Sequence, residues 1–202
     1  MNPDEALASV ERIREQLARS EAIRAWRAAS VMFTASVALA GGIIQSRWDL
    51  SDPDSFLVLW ITLAGVCMAV VSVEMIFRCR LASGSQLLRD ATIVAARQFV
   101  PSVIAGGLIT WTFYRHAPES IHLLPGLWSI VFGLGVFASR PGLPRAINVA
   151  GAYYLLAGVF VIASTSGSRE FEAWPMPLCF GVGQLLTASI LYLYATHSHD
   201  PI

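Results

Sequence analysis

The sequence predicts an all-α integral membrane protein, a bundle of six transmembrane helices preceded by a short amphipathic helix. Three observations carry that reading. Six runs are apolar for roughly the 20 residues needed to cross a hydrocarbon core of about 30 Å. Across all 202 residues, 55% are apolar and only 14% charged, against roughly 25% charged in an average soluble domain. The basic residues also gather in alternate connections, as the topology of a multi-span protein requires. The runs are continuous rather than alternating, and they have no polar face. This excludes a barrel and a soluble helical core.

The first 27 residues open with Asn2-Pro3-Asp4-Glu5, a helix start with negative charge in the first turn. Ala6, Val10, Ile13 and Leu17 fall on one stripe, and Glu15 and Arg19 form an i,i+4 pair. Such a stripe fits the inner leaflet, a docking or dimerising face for a cytoplasmic protein partner or a second copy in a homo-oligomer, or a solvated helix continuing into the first span. The spans follow at 28–46, 55–77, 93–114, 121–139, 146–166 and 174–196, and 197–202 form a tail. Val37-Ala38-Leu39-Ala40-Gly41 resembles a signal-peptide cleavage site, but the Glu-rich segment before it is unlike a basic leader, so the run reads as an uncleaved span.

All 14 basic residues are arginine. Arg12, Arg14, Arg19, Arg24, Arg27, Arg78, Arg80, Arg89, Arg140 and Arg145 share one side, whereas the other holds Arg47, Arg115 and Arg169 beside six acidic residues. The positive-inside rule therefore puts both termini in the cytoplasm of a bacterial inner membrane. Trp48, Trp111, Trp128 and Trp174 fall at the outer interface, and Tyr192 and Tyr194 at the inner one.

Lipid supplies no hydrophobic drive between helices, so small residues must bring backbones close. Gly42, Gly65, Gly106, Gly107, Gly133, Gly135, Gly181 and Gly183 are the expected packing positions, with Ala38/Gly42, Gly65/Ala69 and Ser129/Gly133 as small-xxx-small pairs. Ser36–Ile43 echoes Ser102–Leu108. Leu59-Trp60 with Gly65 echoes Leu127-Trp128 with Gly133, and Phe132-Gly133-Leu134-Gly135 echoes Phe180-Gly181-Val182-Gly183. Read together, these echoes describe three hairpins in parallel repeat.

Inside the slab, Glu74 and Arg97 are expected at matching depths near the cytoplasmic side, paired across spans two and three, with Arg78 as the other candidate partner. Pro101 removes the donor for the Arg97 carbonyl and predicts a kink, with Gln98 close enough to answer the freed oxygen. Gln184 is the deepest amide, and Tyr153 is a milder polar candidate. No cofactor or metal is expected. His116, His122, His197 and His199 share no depth for haem, and Cys67, Cys79 and Cys179 lack metal or redox spacing. With zero net charge and no phosphate loop, nucleic acid is not an expected partner.

Ile13-Arg14-Glu15-Gln16-Leu17-Ala18-Arg19-Ser20 is followed by Pro101 with Ala105-Gly106-Gly107-Leu108-Ile109-Thr110, by Leu124-Pro125-Gly126-Leu127-Trp128, and by the two Phe-Gly motifs. Over nearly the whole chain this pattern resembles an uncharacterised family of small bacterial six-span inner-membrane proteins with an N-terminal amphipathic cytoplasmic helix. The first span here opens Ala28-Ala29-Ser30-Val31 where that family has a Leu-Ser-Gly-like run. The resemblance implies genomic association with small winged-helix regulators and no functional residues. The expected role is a non-enzymatic scaffold or signalling partner. The alternative is a small transporter or channel whose path is lined by Glu74, Arg97, Gln184 and Tyr153. A wet cavity between spans two, three and six would mark the second, and a dry glycine-packed interior the first.

Overall fold

In lipid every backbone N–H and C=O must find its partner within the protein, and each long apolar run is helical. A computed structural model of the chain describes residues 28–48, 52–81, 86–139, 145–167 and 171–196. The residues of the expected amphipathic stripe, Ala6, Val10, Ile13 and Leu17, and residues 82–85, 140–144 and 197–202 lie outside the described residues.

The helices are α1 (Ala28–Arg47), α2 (Pro53–Leu81), α3 (Gln86–His116), α4 (Leu124–Ala138), α5 (Ile147–Thr165) and α6 (Gly183–Thr196). A 3₁₀ turn, Pro118–Leu123, leads into α4, and a π turn, Pro177–Val182, leads into α6. No strand occurs among the described residues. Five segments are long and apolar enough to cross a bilayer: α1, α2, the 3₁₀ turn with α4, α5, and the π turn with α6. The chain is thus an all-α bundle of membrane type. α3 starts seven residues before the apolar run read from the sequence, and its 31 residues reach about 46 Å at 1.5 Å per residue. The helix runs through Pro101 without a break in its assignment.

Hydroxyls inside the helices are answered locally. Thr110, Thr112, Thr165, Thr187 and Ser189 each donate to the carbonyl four residues earlier at 2.8 Å, so none needs a partner from lipid.

The helices pack in chain order. α4 lies between α3 and α5, α5 touches α6, and α1 returns against the π turn, where Leu39 covers Gly181 and Pro177 covers Gly42. Trp60 and Leu63 of α2 cover Gly41. α2 and α3 meet only slightly. One end of the bundle is closed by Phe56, Leu57, Trp60, Ile121, Leu124 and Met176. At the other end Ala28, Ile147, Ala150 and Leu191 join α1, α5 and α6.

The tightest seam is between α4 and α5. A methyl on Gly158 would stand 2.5 Å from the Gly126 carbonyl, and one on Gly133 would stand 3.0 Å from that of Gly151. The glycines are seven apart on both helices and pair in antiparallel register, so two contacts about 10.5 Å apart fix the crossing. Ser129, fully buried between them, donates to the Tyr154 carbonyl at 2.8 Å.

The expected packing glycines divide. Gly42, Gly133, Gly135, Gly181 and Gly183 lie against side chains or backbone of other elements. Gly65, Gly106 and Gly107 are a correction, because an added methyl there meets nothing within 4 Å. Their helix faces point out of the bundle. The repeat echoes therefore do not share environments, since Gly41-Gly42 is packed while Gly106-Gly107 is open. Trp128 is held within the bundle. It is half-buried, stacks on Phe56 at 6.4 Å and donates from Nε1 to Thr110 Oγ1 at 2.9 Å. Trp48, 71% exposed, and Trp111, 62% exposed, face outward at that end of the bundle.

Asp52 caps α2 by accepting from the Ser55 N–H at 2.8 Å, and that bond holds its carboxyl below the ordinary carboxylate range.

Two outcomes follow from this packing. G158A should destabilise the bundle by about 1–3 kcal/mol through overpacking against a backbone carbonyl, whereas G65A and G107A should be neutral or gain up to about 1 kcal/mol of helix propensity. Thermal unfolding in detergent checks the contrast. The Asp52 cap contributes stability above the ordinary carboxylate range and loses it as pH falls through the lowered value. D52N keeps a capping oxygen without the charge, so its melting temperature should decline less on the acid side than that of the parent.

Candidate functional site

The richest chemistry within the bundle gathers where α4, α5 and the π turn meet. Phe132, Tyr154 and Phe180 are in mutual ring contact, with centroids 4.7 to 6.1 Å apart. Phe99 of α3 extends the array edge-on to Phe132 at 5.1 Å, and Tyr153 extends it to the other side. Ser129 lies beside the buried Cys179. Such offset and edge-on pairs add about 0.5–1.5 kcal/mol each beyond area burial.

Two adjacent hydroxyls in this cluster have different fates. Tyr153 Oη donates to the Leu178 carbonyl at 2.7 Å, inside the π turn. A π turn disturbs the ordinary i→i−4 ladder and leaves carbonyls in need of other donors. Tyr154, 0% exposed, has no hydrogen-bond partner for its hydroxyl. Thr187 is a neighbour, but no bond of ordinary geometry closes between them, and the Thr187 hydroxyl donates to Gly183 O. The Tyr154 ring lies on Gly183, where a methyl would come within 2.5 Å of it. A buried hydroxyl left unpaired costs about 1–3 kcal/mol.

The sequence-derived polar path is not assembled. Glu74 is buried, 8% exposed, on α2, while Arg97 is exposed on α3. The two thus differ in burial, and α2 and α3 meet only slightly among the described residues. The side chain of Arg78 lies outside the described residues. Gln184 is half-buried on α6, and Tyr153 belongs to the aromatic cluster. Among the described residues neither α2 nor α3 contacts α6, so Glu74 and Arg97 do not share a wall with Gln184 and Tyr153. Gln98 Oε1 is buried without a hydrogen-bond partner.

Gln45 was missed from sequence. At 3% exposed, it accepts from Trp60 Nε1 at 2.9 Å and donates from Nε2 to the carbonyls of Phe171 and Glu172 at 3.0 and 3.2 Å. One amide thereby joins α1, α2 and the segment before α6. Its position one residue before Ser46-Arg47 reads as interfacial, and only the fold shows that Trp60 and the Phe171 backbone converge on it. Gly126, Gly151 and Gly158 were also missed, although the seven-residue spacing on each helix was a visible signal.

Among the described residues no group of three His, Cys, Asp or Glu side chains could hold a metal ion. Comparison with family models, curated proteins and solved structures returned no match.

Q45L should leave the Trp60 indole and two carbonyls without their partner and destabilise the bundle by about 2–4 kcal/mol. Adding W60F should cost less than the two single losses summed, because the pair shares one bond. A double-mutant cycle on thermal stability measures that coupling.

Proposed function

We propose that the chain is a six-span bacterial inner-membrane protein with both termini in the cytoplasm. It acts as a non-enzymatic scaffold or signalling partner through the N-terminal stripe of Ala6, Val10, Ile13 and Leu17. The observation that supports this reading best is the close packing of α4 on α5 at the centre of the bundle. Backbone meets backbone at Gly126/Gly158 and Gly133/Gly151, and aromatic rings fill the space beside that seam. Water or a solute crossing the slab needs a lined path, and Glu74 and Arg97 are on helices apart from Gln184 and Tyr153. The arginine asymmetry supports the orientation. The surface left for recognition is then at the cytoplasmic end.

A photo-crosslinking residue at Ile13 or Leu17 in intact cells should give discrete adducts of higher mass, and one at Arg12 should give fewer. Purified protein in liposomes should add no proton or ion conductance. Absence of a face-dependent adduct, or a conductance that E74Q abolishes, would overturn the proposal.

A further inference from the structure

We infer that the π turn at Pro177–Val182 is a movable register element with two positions, each latched by one of the adjacent tyrosines 153 and 154. A π turn holds one residue more than the α-helix around it, and the surplus residue can move along the helix as each residue it passes exchanges an i→i−5 for an i→i−4 bond. Wherever it sits, it leaves a carbonyl short of its usual donor. In the observed position Tyr153 Oη donates to the Leu178 carbonyl, within the turn, at 2.7 Å. The next hydroxyl along, that of Tyr154, is fully buried and unbonded, with its ring pressed on Gly183, the first residue beyond the π turn. Two hydroxyls thus face one helix, and one of them is bonded to it.

Moving the surplus residue one turn onward, into Gly183–Thr187, restores the α-helical donor to Leu178 O and frees a carbonyl in the turn on which Tyr154 lies. The satisfied hydroxyl and the orphan then exchange roles. Gly183 permits this, having no side chain to block the tyrosine ring, and Thr187 Oγ1 already supplies a second donor to that turn. Residues passed by the surplus rotate by about 100°. These include Cys179, which is fully buried, and Gly181, which carries Leu39 of α1. A shift at the outer end of α6 therefore changes the seat of α1, the helix that leads back to the N-terminal segment.

The test uses Cys179 as reporter, in full-length protein carrying C67A and C79A, labelled with membrane-permeant N-ethylmaleimide. Y153F removes the latch of the observed position and should raise the Cys179 labelling rate about five- to tenfold. Y154F should label no faster than the parent. The decisive variant is Y153F/Y154F. With both latches gone the second position loses its advantage, and protection of Cys179 should return toward the parent value. Equal high reactivity of Y153F and the double variant would mean that Tyr153 only stabilises the bundle, and would overturn the inference. Unchanged labelling in Y153F would do the same. In the unmodified protein, amides of 178–187 should exchange with solvent deuterium as a group and sooner than those of 150–158. Exchange of both groups together would also count against it.

Discussion

Close approach of backbone to backbone is the constraint on which this bundle depends. Lipid chains are as apolar as leucine, so burying a leucine against another helix gains little over leaving it in the bilayer. What remains is dispersion between surfaces that fit, and that requires the absence of side chains at the points of contact. At the α4–α5 seam, glycines on both helices meet at two levels in antiparallel register. α3 then packs through Phe99 and Ser102 onto Gly135, and α6 packs on α5 through Gly183 and Tyr154. The periphery inherits its geometry from that seam.

Polar groups follow a second constraint, that each buried donor or acceptor should be answered before the helix meets lipid. Most serine and threonine hydroxyls turn back onto their own helices, whereas Ser129 donates to the Tyr154 carbonyl of α5. Trp128 uses Thr110, and Gln45 takes three partners from two other parts of the chain. Against that background the unbonded hydroxyl of Tyr154 stands out, because it lies beside a π turn to which its neighbour Tyr153 is bonded. Local irregularity and local dissatisfaction coincide at one place in an otherwise regular bundle.

Much of the helical content was legible from hydropathy and length, since a run of apolar residues that cannot reach water can satisfy its backbone only as a helix. Tyr153 was singled out as a polar group in the interior, and it does bond across helices. The Glu74–Arg97 expectation rests on equal depth, which is not adjacency: Glu74 is buried on α2 and Arg97 is exposed on α3. Two helices can carry charges at the same level and turn them to different sides. Gly65, Gly106 and Gly107 failed for a related reason. A glycine makes close approach possible, but whether a neighbour takes up the space depends on which face the helix turns inward.

By itself the sequence determined the solvent of the fold, its helical class and the uneven placing of arginine, because these depend on transfer energies that act residue by residue. The tertiary structure alone decided which glycines touch, that Gln45 ties three segments, and that α6 begins with a π turn under two tyrosines. Those are matters of helix rotation and register. A continuous apolar run has no polar face to set its rotation, so the choice falls to the shapes of the partners it meets.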